Sequence, residues 1–176
     1  MRPLSRAFPT NVLAMSDRDL LPHVPQAPPP SSPAARAIMQ GNRKVDTRPE
    51  QRLRSLLHRA GLRYRVNATP EPALRCRADV VFSRARIAVF VDGCFWHGCP
   101  EHGVRPRTHS HYWDAKLARN VARDRRNDTA LEAAGWTVVH VWEHEPPAEA
   151  AERVSRLVSE KRARLRDRPS TSAPRG

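Results

Sequence analysis

The chain is poor in cysteine and in acid. Its 176 residues contain 3 cysteines, Cys76, Cys94 and Cys99. So low and odd a number excludes a disulfide framework and leaves thiolate ligation as the chemical use for them. Asp and Glu total 18 against 31 Lys and Arg, which gives a formal net charge of +13 and a pI of about 11.3. A solvated surface needs no such imbalance, whereas a polyanionic partner, most simply nucleic acid, accounts for it. Part of the charge sits in the basic cluster Lys161 to Arg168, but that cluster does not account for the many basic residues between Arg43 and Arg126. No apolar run is long enough to span a bilayer. The arginines near the N-terminus are followed by no sustained apolar stretch of the kind a secretory leader needs. No internal repeat is visible. The expected location is therefore the cytoplasm, at the nucleoid, with no membrane partner.

Residues 1–39 are rich in Pro, Ser and Ala and include Pro28-Pro29-Pro30. They offer too little apolar surface to offset the entropy of ordering, so a disordered tail is expected there. A basic tail is expected over 164–176, which leaves one folded domain over 40–163. Within it, Asp46 or Thr47 can cap a helix whose first turn carries Pro49 and Glu50. Leu53, Leu56, Leu57 and Ala60 recur at helical spacing, and Gly61 stops the helix. Short strands are expected at Tyr64–Val66, Asp79–Phe82 and Ile87–Val91. A helix from Tyr112 to Ala134 follows, with Asn127 as a candidate break, then a strand Thr137–Trp142 and a last helix bearing Val154, Leu157 and Val158. This order predicts an α/β sandwich, a small mixed sheet flanked by helices.

The chemistry is concentrated in Ile87 to His102. A β-branched and aromatic run leads into a loop that crowds together Asp92, Cys94, Phe95, Trp96, His97, Cys99, Glu101 and His102. If the strands before and after residue 85 pair as a hairpin, Asp79 and Asp92 approach one another at one sheet edge. Hydrolysis of a phosphodiester near neutral pH calls for a divalent metal, and hard Mg2+ takes oxygen ligands. Asp79 with the Val91 carbonyl or the Asp92 carboxylate could supply them; alternatively Asp79 merely opens a strand. Cys94, Cys99 and His102 have zinc-ligand spacing. His144, just after a strand, is the candidate fourth ligand, with Cys76, His97, His109 and His111 as competitors. His97 could exchange protons or donate to a phosphate, and Asp124 could hold its tautomer. Phe95, Trp96 and Trp113 could wedge between bases, or the first two could pack beneath the zinc.

These motifs resemble a known family. Asp46-Thr-Arg-Pro-Glu50, Arg77-Ala-Asp79-Val-Val, Val89-Phe-Val-Asp-Gly-Cys94-Phe95-Trp96-His97, Tyr112-Trp113, Asn120-Val-Ala-Arg-Asp124 and Gly135-Trp136…Val141-Trp142-Glu143 are similar to the very-short-patch repair endonucleases, over roughly residues 40–161. The resemblance implies a restriction-endonuclease-like core of the PD-(D/E)XK type with a zinc-stapled loop. It also implies an enzyme that nicks one strand of duplex DNA beside a T·G mismatch, the product of 5-methylcytosine deamination. Position by position, Asp79 and the Val91 carbonyl would hold catalytic Mg2+. His97 would be the active-site histidine, Asp124 its carboxylate partner, and Glu50 a further acid from the first helix. Phe95, Trp96 and Trp113 would enter the base stack, and Cys94, Cys99, His102 and His144 would hold structural Zn2+. Asp92 stands where the family often has histidine, and His144 where it has cysteine; the zinc site becomes Cys2His2. A monomer suffices for nicking one strand, and no residue identifies a repair-protein partner. Two other readings remain open in the sequence: a restriction-type nuclease without mismatch preference, and a non-catalytic zinc-stabilised DNA-binding protein.

Overall fold

A computed structural model describes residues 21–30, 32–33, 36–37, 45–104 and 106–167. The greater part of the expected N-terminal tail and residues 168–176 of the expected C-terminal one lie outside the described residues.

The first helix, α1 (Arg48–Arg59), begins as the sequence directs. Thr47 is its N-cap, and Pro49 lies in the first turn. The Glu50 amide donates to the Thr47 hydroxyl at 3.5 Å, while the Glu50 carboxylate reaches back to accept from the Asp46 amide at 3.0 Å and from the Thr47 hydroxyl at 2.8 Å, a variant of the capping box. Gly61, at φ +76°, takes the left-handed conformation that ends the helix. Leu53 and Leu57 point inward.

The strands are β1 (Arg65–Ala68), β2 (Ala78–Phe82), β3 (Ile87–Asp92) and β4 (Thr137–Trp142). They lie side by side in chain order. β1, β2 and β3 are antiparallel neighbours, and β4 is parallel to β3, with Phe90 opposite His140 and Asp92 opposite Trp142. A parallel neighbour requires a crossover, and α2 (Ser110–Ala133) provides it. That helix runs unbroken through Asn127, a residue whose modest helix-propensity cost does not by itself interrupt a long helix. The chain closes with α3 (Pro147–Arg166), which extends past residue 163, the expected end of the folded domain.

Each face of the sheet has its own apolar layer. On one, Leu53 and Leu57 of α1 and Val154 and Val158 of α3 cover Val80, Phe82, Ile87, Val89, Val139 and Val141. On the other, Leu131 of α2 and Trp136 cover Val81 and Ala88, with Phe90 and Val138 at the margin. The result is an α/β/α sandwich with a mixed sheet. Because alternate residues face opposite sides, Ala88, Phe90 and Asp92 share the face that α2 covers, and His140 joins them from β4. The site is built on that face, at the C-terminal ends of β3 and β4.

Candidate active site and metal centre

The paired register of β2 and β3 runs from Phe82–Ile87 to Val80–Val89. Just beyond it, the Val91 amide donates to Asp79 Oδ2 at 2.7 Å. A carboxylate thus takes a main-chain amide where the two central strands part. Burial raises the Asp79 carboxyl to about 6, against the Val91 hydrogen bond, with the Glu50 and Asp92 charges adding to the rise and Arg54 opposing it. Glu50 is 5 % exposed and Asp92 5 % exposed, so both acids act on Asp79 through little solvent. Asp79 and Asp92 lie on the two central strands of the sheet and not on a lateral edge strand, and the Asp92 charge reaches Asp79. Glu50 reaches the site from α1 while both its oxygens serve the helix cap.

Asp92 does not simply join Asp79. Its Oδ2 lies 2.5 Å from His140 Nδ1, and its Oδ1 lies 3.5 Å from His97 Nδ1. His97 Nδ1 lies 2.9 Å from Asp124 Oδ2, and the other Asp124 oxygen accepts from Arg123 at 2.8 and 3.0 Å. Burial alone would lower the His97 pKa, but the Asp124 hydrogen bond and the Asp92 and Asp124 charges overcome it and raise it. Burial likewise opposes ionisation of Asp124, yet His97 and Arg123 hold its pKa below the usual value. The pair therefore favours imidazolium beside carboxylate, with the Nδ1 proton directed at Asp124.

The polar groups that α2 brings to this face follow helical spacing. Asn120 donates to the Trp96 carbonyl at 3.1 Å, Asp124 holds His97, and Asp128 lies 3.2 Å from His140 Nε2. Residues four apart stack on one face of a helix, so one stripe of α2 serves the loop, the histidine and the neighbouring strand in turn. His140 is stacked on Phe90, with ring centroids 5.4 Å apart and planes 18° apart. Its pKa is raised to about 9, chiefly by Asp92 against the cost of burial, with Asp128 adding to the rise.

Cys94, Cys99, His102 and His144 offer ligand atoms that all lie within 4.8 Å of one another. His144 Nδ1 is 3.1 Å from Cys94 Sγ and 3.8 Å from Cys99 Sγ, and Cys99 Sγ is 4.0 Å from His102 Nδ1. Ligands of a tetrahedral zinc stand about 3.3–3.8 Å apart, given bonds of about 2.3 Å to sulfur and 2.0–2.1 Å to nitrogen. The four donors could hold a metal ion, and two thiolates with two imidazoles suit zinc in type, the closest separations bracketing its ligand spacing and the widest lying within 4.8 Å. Without a cation the Cys94 thiol is pushed up to about 11 by burial and by the Cys99 and Glu143 groups beside it. The loop is fixed by its own backbone: Gly103 donates to the Cys99 carbonyl at 2.9 Å, and a Cβ at 103 would lie 2.5 Å from that same oxygen. Gly98, at φ +66°, lets the chain turn between the two cysteines. Of the other zinc candidates, Cys76 is packed in the apolar layer with Leu131 and Trp136, His97 is held by Asp124, and His109 is the N-cap of α2.

Phe95, Trp96 and Trp113 form one aromatic cluster. Phe95 lies edge-on to Trp96 at 4.9 Å and to Trp113 at 5.3 Å, and the two indoles are 6.0 Å apart. Trp96 remains 37 % exposed, beside a loop locked by the cysteines.

Comparison with known proteins bears directly on this arrangement. The family model "DNA mismatch endonuclease Vsr" matches residues 31–102. A type II nicking enzyme, V.NaeI of Lentzea aerocolonigenes, is 46% identical over 120 residues, 67% of this chain and 72% of the relative. The chain belongs to the Vsr endonuclease family. A second type II nicking enzyme, V.XorIIP of Xanthomonas oryzae pv. oryzae, is 44% identical over 114 residues, 62% of this chain and 79% of the relative. The DNA mismatch endonuclease Vsr of Escherichia coli K12 is 42% identical over 100 residues, 56% of this chain and 62% of the relative. As a Vsr-family protein the chain is an endonuclease that acts on DNA. The matched Vsr region contains Glu50, Asp79, Val91, Asp92, His97 and the loop through His102. Asp124, His140 and His144 lie beyond it and come to the site through α2 and β4.

Asp128, His140, Asn120 and Glu143 were not among the sequence candidates. Glu143 accepts from the Cys94 amide at 2.6 Å and so ties the metal loop to the end of β4. The signals for three of them were present: a histidine inside the apolar run Val138-Val139-His140-Val141, and the i, i+4, i+8 polar stripe of Asn120, Asp124 and Asp128. No helix of the described residues is long and apolar enough to cross a membrane.

Proposed function

We propose that this Vsr-family endonuclease nicks one strand of duplex DNA beside a T·G mismatch, by Mg2+-dependent hydrolysis of a phosphodiester. The observation that supports the reading is the hydrogen-bonded His97–Asp124 pair with the buried Asp92 beside it: Asp92 Oδ1 lies 3.5 Å from His97 Nδ1, and the Asp92 charge adds to the raised pKa of Asp79. Asp79 and the Val91 carbonyl would hold Mg2+, which supplies positive charge to polarise the phosphate and lower the pKa of a bound water. His97, with Nδ1 fixed on Asp124, exchanges a proton at Nε2 with the attacking or leaving oxygen, and Asp124 stabilises the imidazolium. Glu50 and Asp92 complete the acidic surroundings, Glu50 through its field on Asp79 and Asp92 through His97. Cys94, Cys99, His102 and His144 would hold a structural Zn2+ that fixes the loop from which His97 and Trp96 project.

Phe95, Trp96 and Trp113 would enter the stack at the mismatch, where a mispaired step costs least to open. The names of the relatives in Lentzea and Xanthomonas support cleavage of one strand, and that of the Escherichia coli relative supports mismatch specificity. A monomer acting at the nucleoid suffices, since one strand needs one active centre. The test is cleavage, in Mg2+, of labelled duplexes that carry T·G or the matched pair in the same context. Nicking confined to the T·G duplex is expected. Equal cleavage of both points to a restriction-type nuclease without mismatch preference, and no cleavage of either refutes the enzymatic reading.

A further inference from the structure

His140 is held by protein partners at both ring nitrogens and on one ring face, although its side chain is 34 % exposed. Its ring stacks on Phe90, Nδ1 faces Asp92 Oδ2 at 2.5 Å, and Nε2 faces both Asp128 oxygens at 3.2 Å. One ring face and both nitrogens are committed. An ionised carboxylate only accepts, so each nitrogen serves as donor to its partner. The ring is thereby a bridge between β3 and α2, anchored on its own strand by the register that sets His140 beside Phe90.

The bridge acts on His97 through Asp92. That aspartate is 5 % exposed, and its Oδ1 lies 3.5 Å from His97 Nδ1, the nitrogen that Asp124 holds at 2.9 Å. Two carboxylates therefore compete for one proton, and Asp124 holds the nearer position. With its Oδ2 unpaired, a buried aspartate would turn toward the nearest remaining donor, because an unsatisfied buried charge is costly. The nearest ring donor is His97 Nδ1, and capture by Asp92 would rotate the imidazole away from Asp124.

We propose that His140, itself held by Asp128, is a positioning residue of the active centre: it retains Asp92 so that His97 stays aligned on Asp124. In this role Asp128 and His140 act through Asp92 rather than on the scissile phosphate or the cation. They set the direction of the ring that exchanges protons, and a small misalignment of such a group is expensive in rate. This assignment rests on His97 being the proton-exchanging residue of the reading above.

The test compares His140→Ala, His140→Asn and His140→Gln in the full-length, zinc-loaded protein. The Asn amide nitrogen replaces Nδ1 and can still donate to Asp92; the Gln amide nitrogen replaces Nε2 and reaches Asp128 instead. Single-turnover nicking of the T·G duplex should fall about 10- to 100-fold in His140→Ala and His140→Gln. It should return to within about threefold of the wild-type rate in His140→Asn, with the Kd for the duplex changed less than about threefold throughout. Alanine at the wild-type rate, or Gln restoring the rate as well as Asn does, would overturn the proposal. A loss confined to Kd would overturn it too. The second readout needs no activity: the NMR resonance of the His97 Nδ1 proton in protein without DNA. It should move or vanish in His140→Ala and persist in His140→Asn, and an unmoved resonance in His140→Ala refutes the bridge. If the wild-type protein nicks no duplex, the enzymatic reading fails by itself and the resonance still decides the role of His140.

Discussion

His97 Nδ1 and Asp124 Oδ2 stand 2.9 Å apart, although the residues come from a loop after β3 and from the middle of α2. The contact fixes which ring nitrogen faces the protein and leaves the other for a substrate. Asp124→Asn preserves the shape but offers an amide whose NH2 can face the ring and favour the wrong tautomer. Single-turnover nicking should fall by about 10²–10⁴-fold, the usual range for a lost acid–base partner. Duplex affinity, by gel shift, should barely change.

The pH dependence follows from Asp79. Its carboxyl is raised to about 6 by burial, so it gains a proton as pH falls through that value. A protonated carboxyl is a poor cation ligand, and protons and metal compete for the same oxygens. The rate of nicking should therefore fall on the acid side of about pH 6. More Mg2+ should shift this acid limb to lower pH. A limb that ignores Mg2+ concentration would assign it to another group.

Zinc should be a folding element. Cys94→Ser removes a candidate ligand that is 7 % exposed in the loop after β3. Metal analysis should find stoichiometric zinc in the wild-type protein and background amounts in the variant. Structural zinc supplies about 10–16 kcal/mol in small peptide folds. Loss of even a third of that would lower the Tm by roughly 10 °C in a domain of this size. Retained stoichiometric zinc in Cys94→Ser would refute the assigned ligand set.

Trp96 should matter for DNA and little for stability, because it is 37 % exposed whereas Leu57 is fully buried. Stacking of an aromatic on a base is worth about 1–3 kcal/mol, so Trp96→Ala should weaken binding of the T·G duplex by roughly 5- to 150-fold. Its thermal midpoint should stay within a few degrees of the wild-type value. Leu57→Ala makes the opposite control, costing about 2–5 kcal/mol of stability through an internal cavity.

Much of the fold was legible because its signals are local. The capping residues Thr47 and Glu50, the run Ile87 to Val91 and the stop at Gly135 each act within a few residues, and the element order follows from them. The cluster that could hold a metal was legible through the spacing of Cys94, Cys99 and His102, and His144 through its place after a strand end. The bridge from Asp92 through His140 to Asp128 was not. It depends on the parallel register of β3 with β4 and on the rotation of α2 above the sheet, and neither is set by residues near one another in the chain. Asp92 shows the same limit: sequence placed it beside Asp79 as a possible metal oxygen, while packing turned both its oxygens toward imidazoles.

The central claim is that Asp79 anchors the cation at which phosphodiester cleavage occurs. Single-turnover nicking of a T·G duplex by the wild-type protein and by Asp79→Asn, each across a Mg2+ titration, tests it most directly. The account predicts a loss of about 10³-fold or more in the variant, because metal stabilisation of the transition state is worth several kcal/mol, with duplex binding retained. Nicking by Asp79→Asn at the wild-type rate and with the wild-type Mg2+ dependence would contradict it.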